Sequence, residues 1–263
     1  CKAHTAGRYL TTGGHYAYLK IAEGCNRHCT YCIIPQIRGG YRSVPIEVLV
    51  QEARTLVEGG VKELILVAQE TTMYGSDLYG KKSLPDLLHA LCKIEGLLWL
   101  RLLYCYPEEI TDELIRAMRL EDKICHYLDI PIQHASDTVL RRMGRRTCKE
   151  QLRTVIGKLR REIPDICLRT TLITGFPGES QEDFEELYRF VNEMEFDRLG
   201  VFPYSPEEGT PAACMEDQVP EEVKLRRRDE LMELQQAIAF EKAEKIAAAK
   251  PLLEAFVEGR LPE

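Results

Sequence analysis

Long apolar runs are absent from these 263 residues. A membrane helix needs ~20 consecutive apolar residues. The longest runs here, near Leu64–Ala68 and Leu97–Leu103, are strand-sized or broken by charge. No signal-peptide pattern opens the chain, so no membrane role is expected. An excess of positive charge is also absent. Lys and Arg number 35 against 42 Asp and Glu, a net charge of −7. That argues against a protein whose main business is wrapping nucleic acid non-specifically, which carries a strongly basic balance; a local basic patch remains open. Internal repeats of fixed period are missing, and so is an initiator methionine. The chain opens on Cys1, as expected of a fragment or a processed protein.

What is present is the ordinary mix of a globular chain, 44% hydrophobic and 29% charged. The length suits roughly one and a half to two average domains or one α/β barrel of ~250 residues. Ten cysteines are unusual. Their spacing is irregular and the chain is large, which argues against a small secreted disulfide scaffold. Cys105, Cys125 and Cys167 lie in strand-like runs, where cysteine behaves as a small hydrophobe. A reducing, cytoplasmic setting is expected.

Strand-like runs alternate with helical spacing. Strands are expected at Ala17–Ala22, Val61–Ala68, Leu98–Cys105, Ile124–Ile130, Ile166–Thr174 and Phe196–Phe202. Helices are expected at Ile46–Glu58, which meets the stop signal Gly59-Gly60, and at Leu84–Ile94, with Ser83 as N-cap and Pro85 in the first turn. Others run from the cap Thr111 to Leu120, over Asp137–Met143 and Cys148–Glu162, and from a Ser180/Asp183 capping box to Glu195. The last is a long charged helix, Glu221–Ala249. Val223, Leu231, Leu234 and Ile238 form its packing side. The run Lys224–Arg228 reads as a solvated face paired with Glu221 and Glu222.

Strict βα alternation implies a parallel sheet covered by helices. Six units fall short of a closed eight-fold barrel. The expected architecture is α/β, a partial open (β/α)6 TIM-like barrel over 16–249, with a doubly wound open sheet as the alternative. Residues 1–15 read as a polar linker. In 250–263, Pro251 breaks the long helix and Leu252–Val257 reads as the first strand of a further β domain.

Barrels of this kind carry their reactive groups at the C-terminal ends of strands. After the first strand the chain places Cys25, Cys29 and Cys32 in a C-x3-C-x2-C pattern. Chance would produce that spacing about 0.014 times in a chain with this many cysteines. Three thiolates on a short loop can hold a metal centre. Structural zinc is four-coordinate and closed, and the only nearby fourth donor, His28, sits inside the same tight loop. A [4Fe–4S] cluster normally takes four thiolates, so three would leave one iron open to a small molecule. Zinc in a binding module and an open iron–sulfur cluster are the two alternatives.

This pattern, with aromatic Tyr31 before the last cysteine, resembles the signature of the radical S-adenosylmethionine (SAM) enzymes. The resemblance implies a partial (β/α)6 barrel, three cysteine ligands to a [4Fe–4S] cluster, and SAM chelated by the open iron. Cleavage of SAM by one electron from the cluster would give methionine and a 5′-deoxyadenosyl radical, chemistry that the cofactor carries and the protein positions. The segments Cys25–Pro35, Gln69–Gly75, Asp129–Ser136, Arg169–Glu179 and Tyr204–Ala212 further resemble the methylthiotransferase family, which inserts a methylthio group at an unactivated C–H bond. Gln133-His134-Ala135-Ser136 and Glu207-Glu208-Gly209-Thr210-Pro211 resemble its ribosome-modifying branch, as do Met215–Pro220 and Leu231–Gln236. That branch acts on the β-carbon of an aspartate in a small-subunit ribosomal protein. The tRNA-modifying branch is the alternative.

The resemblance makes Cys25, Cys29 and Cys32 the cluster ligands. It implies SAM contacts for Tyr31 through its backbone, Gln69 at the amino group, Gln133 and Arg169, and places Gly175 and Phe176 against the adenine. Residue chemistry alone offers plainer roles: Tyr31 as packing, the two glutamines as loop amides, Arg169 as a cation paired with a protein carboxylate, and Gly175-Phe176 as a strand–helix turn. His134, Glu207 and Glu208 are expected substrate contacts, against a hydrogen-bonded structural imidazole and solvated charge. Family members also carry an N-terminal domain with a second [4Fe–4S] cluster and a C-terminal β domain. The expected partners are the ribosomal protein and an electron donor of the flavodoxin or ferredoxin type. A chain without those domains is expected to bind cluster and SAM but not to complete methylthiolation.

Overall fold

Six parallel strands form one sheet in the computed structural model, which describes residues 14–256. They are β1 (Tyr16–Lys20), β4 (Glu63–Val67), β5 (Trp99–Leu102), β6 (Ile124–Asp129), β7 (Cys167–Thr174) and β8 (Arg198–Pro203). Two short strands, β2 (Ala22–Glu23) and β3 (Arg42–Ser43), pair antiparallel outside that sheet. The sheet order β1-β4-β5-β6-β7-β8 follows the chain without a reversal. Right-handed crossovers then put the connecting helices on the same side, and the sheet curls. A doubly wound sheet would need a switch in strand order, so the partial barrel is the correct alternative. Among the described residues β1 and β8 are not paired with each other, and the barrel stays open.

Strand burial has period two. Leu168, Thr170, Leu172 and Thr174 of β7 are buried, whereas Cys167, Arg169, Thr171 and Ile173 on the other face are half-buried. The buried set packs under the helix layer, as do Leu64, Leu66, Leu100 and Leu102, all 0% exposed. The helices are α1 (Ile34–Arg38), α2 (Ile46–Glu58), α3 (Leu84–Cys92), α4 (Asp112–Leu120), α5 (Asp137–Arg142), α6 (Lys149–Glu162), α7 (Gln181–Met194) and α8 (Glu221–Ala249).

Local chemistry accounts for most of their ends. The Thr111 hydroxyl accepts from the Leu114 amide at 3.2 Å and starts α4. Ser180 and Asp183 cap each other's backbone amides at 3.1 and 3.0 Å and start α7. Ser83 precedes α3, but it does not cap it: its hydroxyl donates to the Lys81 carbonyl at 3.3 Å. The short α1 and the β2–β3 ribbon were not foreseen, since neither is long enough to show a period.

Two expectations are corrected by the last helix and the residues after it. Leu231 and Ile238 pack inward as expected, but so do Lys224 and Arg227, 5% and 4% exposed. The run Lys224–Arg228 is therefore not a solvated face. The tops of β7 and β8 present carbonyls and a carboxylate that need donors, and α8 supplies them. Residues 251–256 form no strand; Phe256 instead packs its ring on Trp99, centroids 4.4 Å apart. Val257 onward lies outside the described residues, as does all but the end of the expected 1–15 linker. The His15 carbonyl already accepts from Lys62 and Glu63 beside β4.

Candidate active site

The cysteine loop depends on a glycine. Gly24 has φ +83°, and a Cβ there would lie 2.2 Å from the Gly40 carbonyl oxygen. This close approach brings the loop onto the segment just before β3. The Cys25 amide donates to the Gly39 carbonyl at 3.2 Å, and the Tyr41 amide donates to the Asn26 side chain at 2.9 Å. The far end of the loop is fastened at Thr30. Its amide donates to the Met143 carbonyl at 3.0 Å, its hydroxyl to the Arg142 carbonyl at 2.8 Å, and its carbonyl accepts from Ala212 at 2.9 Å. The end of α5 and the loop after β8 thus hold the cysteine loop over the C-terminal ends of the strands.

A cavity of about 420 Å³ opens there, lined by Cys25, Cys32, Gln69, Tyr104 and Tyr106 among others. The Cys29 sulfur lies 3.5 Å from the hydroxyl of the same Tyr106. Burial pushes the Cys25 and Cys32 thiols above the ordinary thiol range. A metal would have to displace those protons to gain thiolate ligands. Among the described residues no three His, Cys, Asp or Glu side chains converge on a point that would hold one ion. The Gln69 amide nitrogen donates to Glu23 at 3.3 Å, but its oxygen is buried with no hydrogen-bond partner among the described residues. An unpaired buried acceptor on the cysteine-lined cavity suits a ligand that brings its own N–H donor, as an ammonium group does. The residues therefore fit an iron–sulfur cluster with SAM beside it.

Strained backbone marks two strand ends on this rim. Gln133 has φ +70°; its amide donates to the Thr171 carbonyl and its carbonyl accepts from Ile173, both at 2.9 Å. Tyr104, with φ +58°, is 46% exposed and lines the cavity. Asp129 holds its amide at 3.1 Å. Non-glycine residues take such angles where surrounding structure over-determines them, often at functional sites. Sequence reasoning missed Tyr104, because nothing local marks a tyrosine for positive φ.

The other expected site residues divide. Arg169 finds a protein carboxylate, Asp129, at 2.6 Å. Tyr31 packs its ring edge-on to Phe176, centroids 6.3 Å apart, in a small cluster with Met143 and Tyr204. Phe176 is fully buried in that cluster, so its ring faces protein. Gly175, at φ +67°, admits α8: a Cβ there would lie 2.2 Å from Cγ of Lys224. That close approach gives the glycine a packing reason independent of any adenine. His134 is a correction. It is 0% exposed, its Nδ1 accepts from the Ser136 amide at 2.9 Å, and its Nε2 stands 3.6 Å from Glu179. An imidazole so enclosed braces the rim and does not face a substrate. Glu207 and Glu208 are exposed, and their loop is tied to α1 by Gln36, which donates to the Gly209 carbonyl at 2.9 Å.

A charged layer beside the cysteines was also missed. Arg27 makes a two-pronged pair with Glu70, both bonds 2.8 Å, and also donates to Glu109, which Lys82 contacts in turn. Arg27 and Arg145 both stack on the Tyr106 ring, at 4.9 and 4.2 Å.

Comparison with known proteins agrees with this geometry. The radical SAM superfamily model matches residues 19–191. Ribosomal protein uS12 methylthiotransferase RimO of Lachnoclostridium phytofermentans is 66% identical over 97% of this chain and 58% of its own length. The protein of the same name from Clostridium tetani is 57% identical over 88% of this chain and 52% of its own length. The chain thus spans little more than half of these relatives. Among solved structures, coproporphyrinogen III oxidase (HemN) from Escherichia coli, a radical SAM enzyme, superposes with a TM-score of 0.61 over 87% of this chain and 52% of its own, at 20% identity.

Proposed function

The chain belongs to the radical SAM superfamily, and from that premise we propose that it is the SAM-cleaving core of a methylthiotransferase acting on an aspartate of ribosomal protein uS12. The observation that carries the reading is the shared cavity: two loop cysteines, the third against Tyr106, and the unpaired Gln69 oxygen, all at the strand ends. Cys25, Cys29 and Cys32 would hold the [4Fe–4S] cluster. When bound, the cluster and SAM supply a carbon radical strong enough to remove hydrogen from an unactivated C–H bond, which no side chain can do.

The chain's own residues position and shield. Gln69 orients the SAM ammonium through its free oxygen. Tyr104 and Gln133 present their side chains from pinned backbone at the rim. Glu207 and Glu208 face a basic protein substrate from the loop after β8. The names of the relatives support a ribosomal protein over tRNA as that substrate. On this reading, sulfur delivery and a second cluster fall to parts of the relatives that this chain does not match, and a flavodoxin- or ferredoxin-type protein is the electron donor. No helix among the described residues is long and apolar enough to cross a membrane, and action on ribosomal protein supports a cytoplasmic enzyme.

Anaerobic reconstitution with iron and sulfide, followed by dithionite and SAM, tests the reading. The expected result is a brown protein with about four irons per chain that releases 5′-deoxyadenosine. Cys25→Ala should abolish both. A colourless chain holding one zinc and leaving SAM intact would sink the proposal.

A further inference from the structure

Arg145 is buried, 6% exposed, and among the described residues has no carboxylate within bonding distance. One guanidinium nitrogen donates to the Pro131 carbonyl at 2.9 Å. The other two, Nε and Nη1, have no hydrogen-bond partner among the described residues. The contrast with Arg27 is informative, since that neighbouring guanidinium is neutralised by Glu70 and Glu109. A bare buried cation is strongly unfavourable unless an anion joins it. Arg145 shares a small cavity of about 60 Å³ with Cys29, Tyr106 and Glu108. Its Cζ sits 4.2 Å from the centroid of the Tyr106 ring, whose hydroxyl lies 3.5 Å from the Cys29 sulfur. Glu108 is a poor counter-charge. Its nearest cation is Arg27, at 3.6 Å, and its second oxygen is itself unpaired.

We propose that Arg145 is a positioning residue for the metal centre, its unpaired guanidinium supplying positive charge beside Cys29 that favours the reduced cluster. The inference rests on the reading that Cys25, Cys29 and Cys32 hold that cluster. Three thiolates give the assembly net negative charge, and one electron from the reductant adds another. A fixed cation in a water-poor site stabilises the more negative form more strongly, so the chain accepts the electron more readily.

The experiment is a redox titration of the iron-loaded chain, followed by electron paramagnetic resonance, with iron counted in the same samples. Arg145→Met is expected to keep its iron and lower the equilibrium constant for reduction at least tenfold, about 59 mV for a one-electron couple. Arg145→Lys, which keeps the charge, should stay within about threefold. Should Arg145→Met fail to fold, Arg145→Gln, which keeps part of the stem and a donor, takes its place in the comparison. Neutral and charged variants that all match the parent overturn the proposal and leave Arg145 as a partner of Glu108. A lysine variant that falls as far as methionine overturns it too, because charge would not be the cause. Failure of the underlying reading looks different: the parent itself would hold no four-iron centre, or Cys29→Ala would keep it.

Discussion

One hydrogen decides whether the cysteine loop can close. Gly24 stands where any Cβ would meet the Gly40 carbonyl at 2.2 Å, in a region of φ that side chains disfavour. Gly24→Ala is expected to cost roughly 1–3 kcal/mol of backbone strain and to push Cys25 away from its partners. Iron bound after reconstitution should fall below about a tenth of the parent value. Normal iron loading would show that the loop tolerates the shift. Asp183 offers a second test at this scale. Burial raises its carboxyl, but hydrogen bonds from Ser136 and Ser180 outweigh burial and leave it below the usual 3.8. A depressed folded value stabilises the fold above the unfolded value, and that contribution is lost as pH falls through the folded one. Ser136→Ala should therefore lower Tm near neutral pH, and its deficit should shrink as melts are taken below 3.8. A deficit that stays constant down the acid limb would assign the serine's effect to packing.

Among the elements, α8 joins the reactive rim to the outer layer. Arg227 donates to the Glu179 side chain at 2.9 Å and to its carbonyl at 3.1 Å, with both residues buried. The same carboxylate accepts from the Phe176 amide at 3.1 Å and lies near His134. Breaking a buried pair on one side strands the other charge and costs about 3–5 kcal/mol. Arg227→Met should lose that much in urea unfolding, and adding Glu179→Gln should restore a good part of it. Equal losses in the single and double variants would mean that the pair is not the stabilising contact. This is also where the sequence was hardest to read. The βα alternation and the Ser180 box were legible because period and caps are local properties. The cysteine triad was legible because its spacing is rare by chance. Burial of Lys224 and Arg227 was not, since a charged run looks solvated until distant groups claim it: the Tyr204 carbonyl for Lys224, at 2.9 Å, and Glu179 for Arg227. Tyr104 was hidden for the same reason, its backbone being held by Asp129 from another strand.

For the whole molecule, the open barrel poses a problem that a closed one does not. Strand edges at β1 and β8 remain, and an uncovered edge invites pairing with another chain. Helix α8 answers this on one side. Leu231 and Ile238 bury against the sheet, Lys224 and Arg227 tie it to the tops of β7 and β8, and Gln235 donates to the Phe196 carbonyl at 2.8 Å just before β8. Thr174, at the end of β7, donates back to the Lys224 carbonyl at 3.1 Å. From Lys224 to Lys242 the helix is thus part of the barrel wall, and only its last turns, 243–249, stand exposed. A chain ending at residue 220 should lose these polar ties together, bind a dye for exposed apolar surface, and melt without a cooperative transition. A chain ending at residue 250 should lose the packing of Phe256 on Trp99 and His15 and keep a cooperative melt slightly below the parent. The pair of truncations separates the helix from the tail. If the shorter chain melts cooperatively near the parent temperature, the sheet is self-sufficient and the buried cations of α8 must be explained by something other than closing its edge.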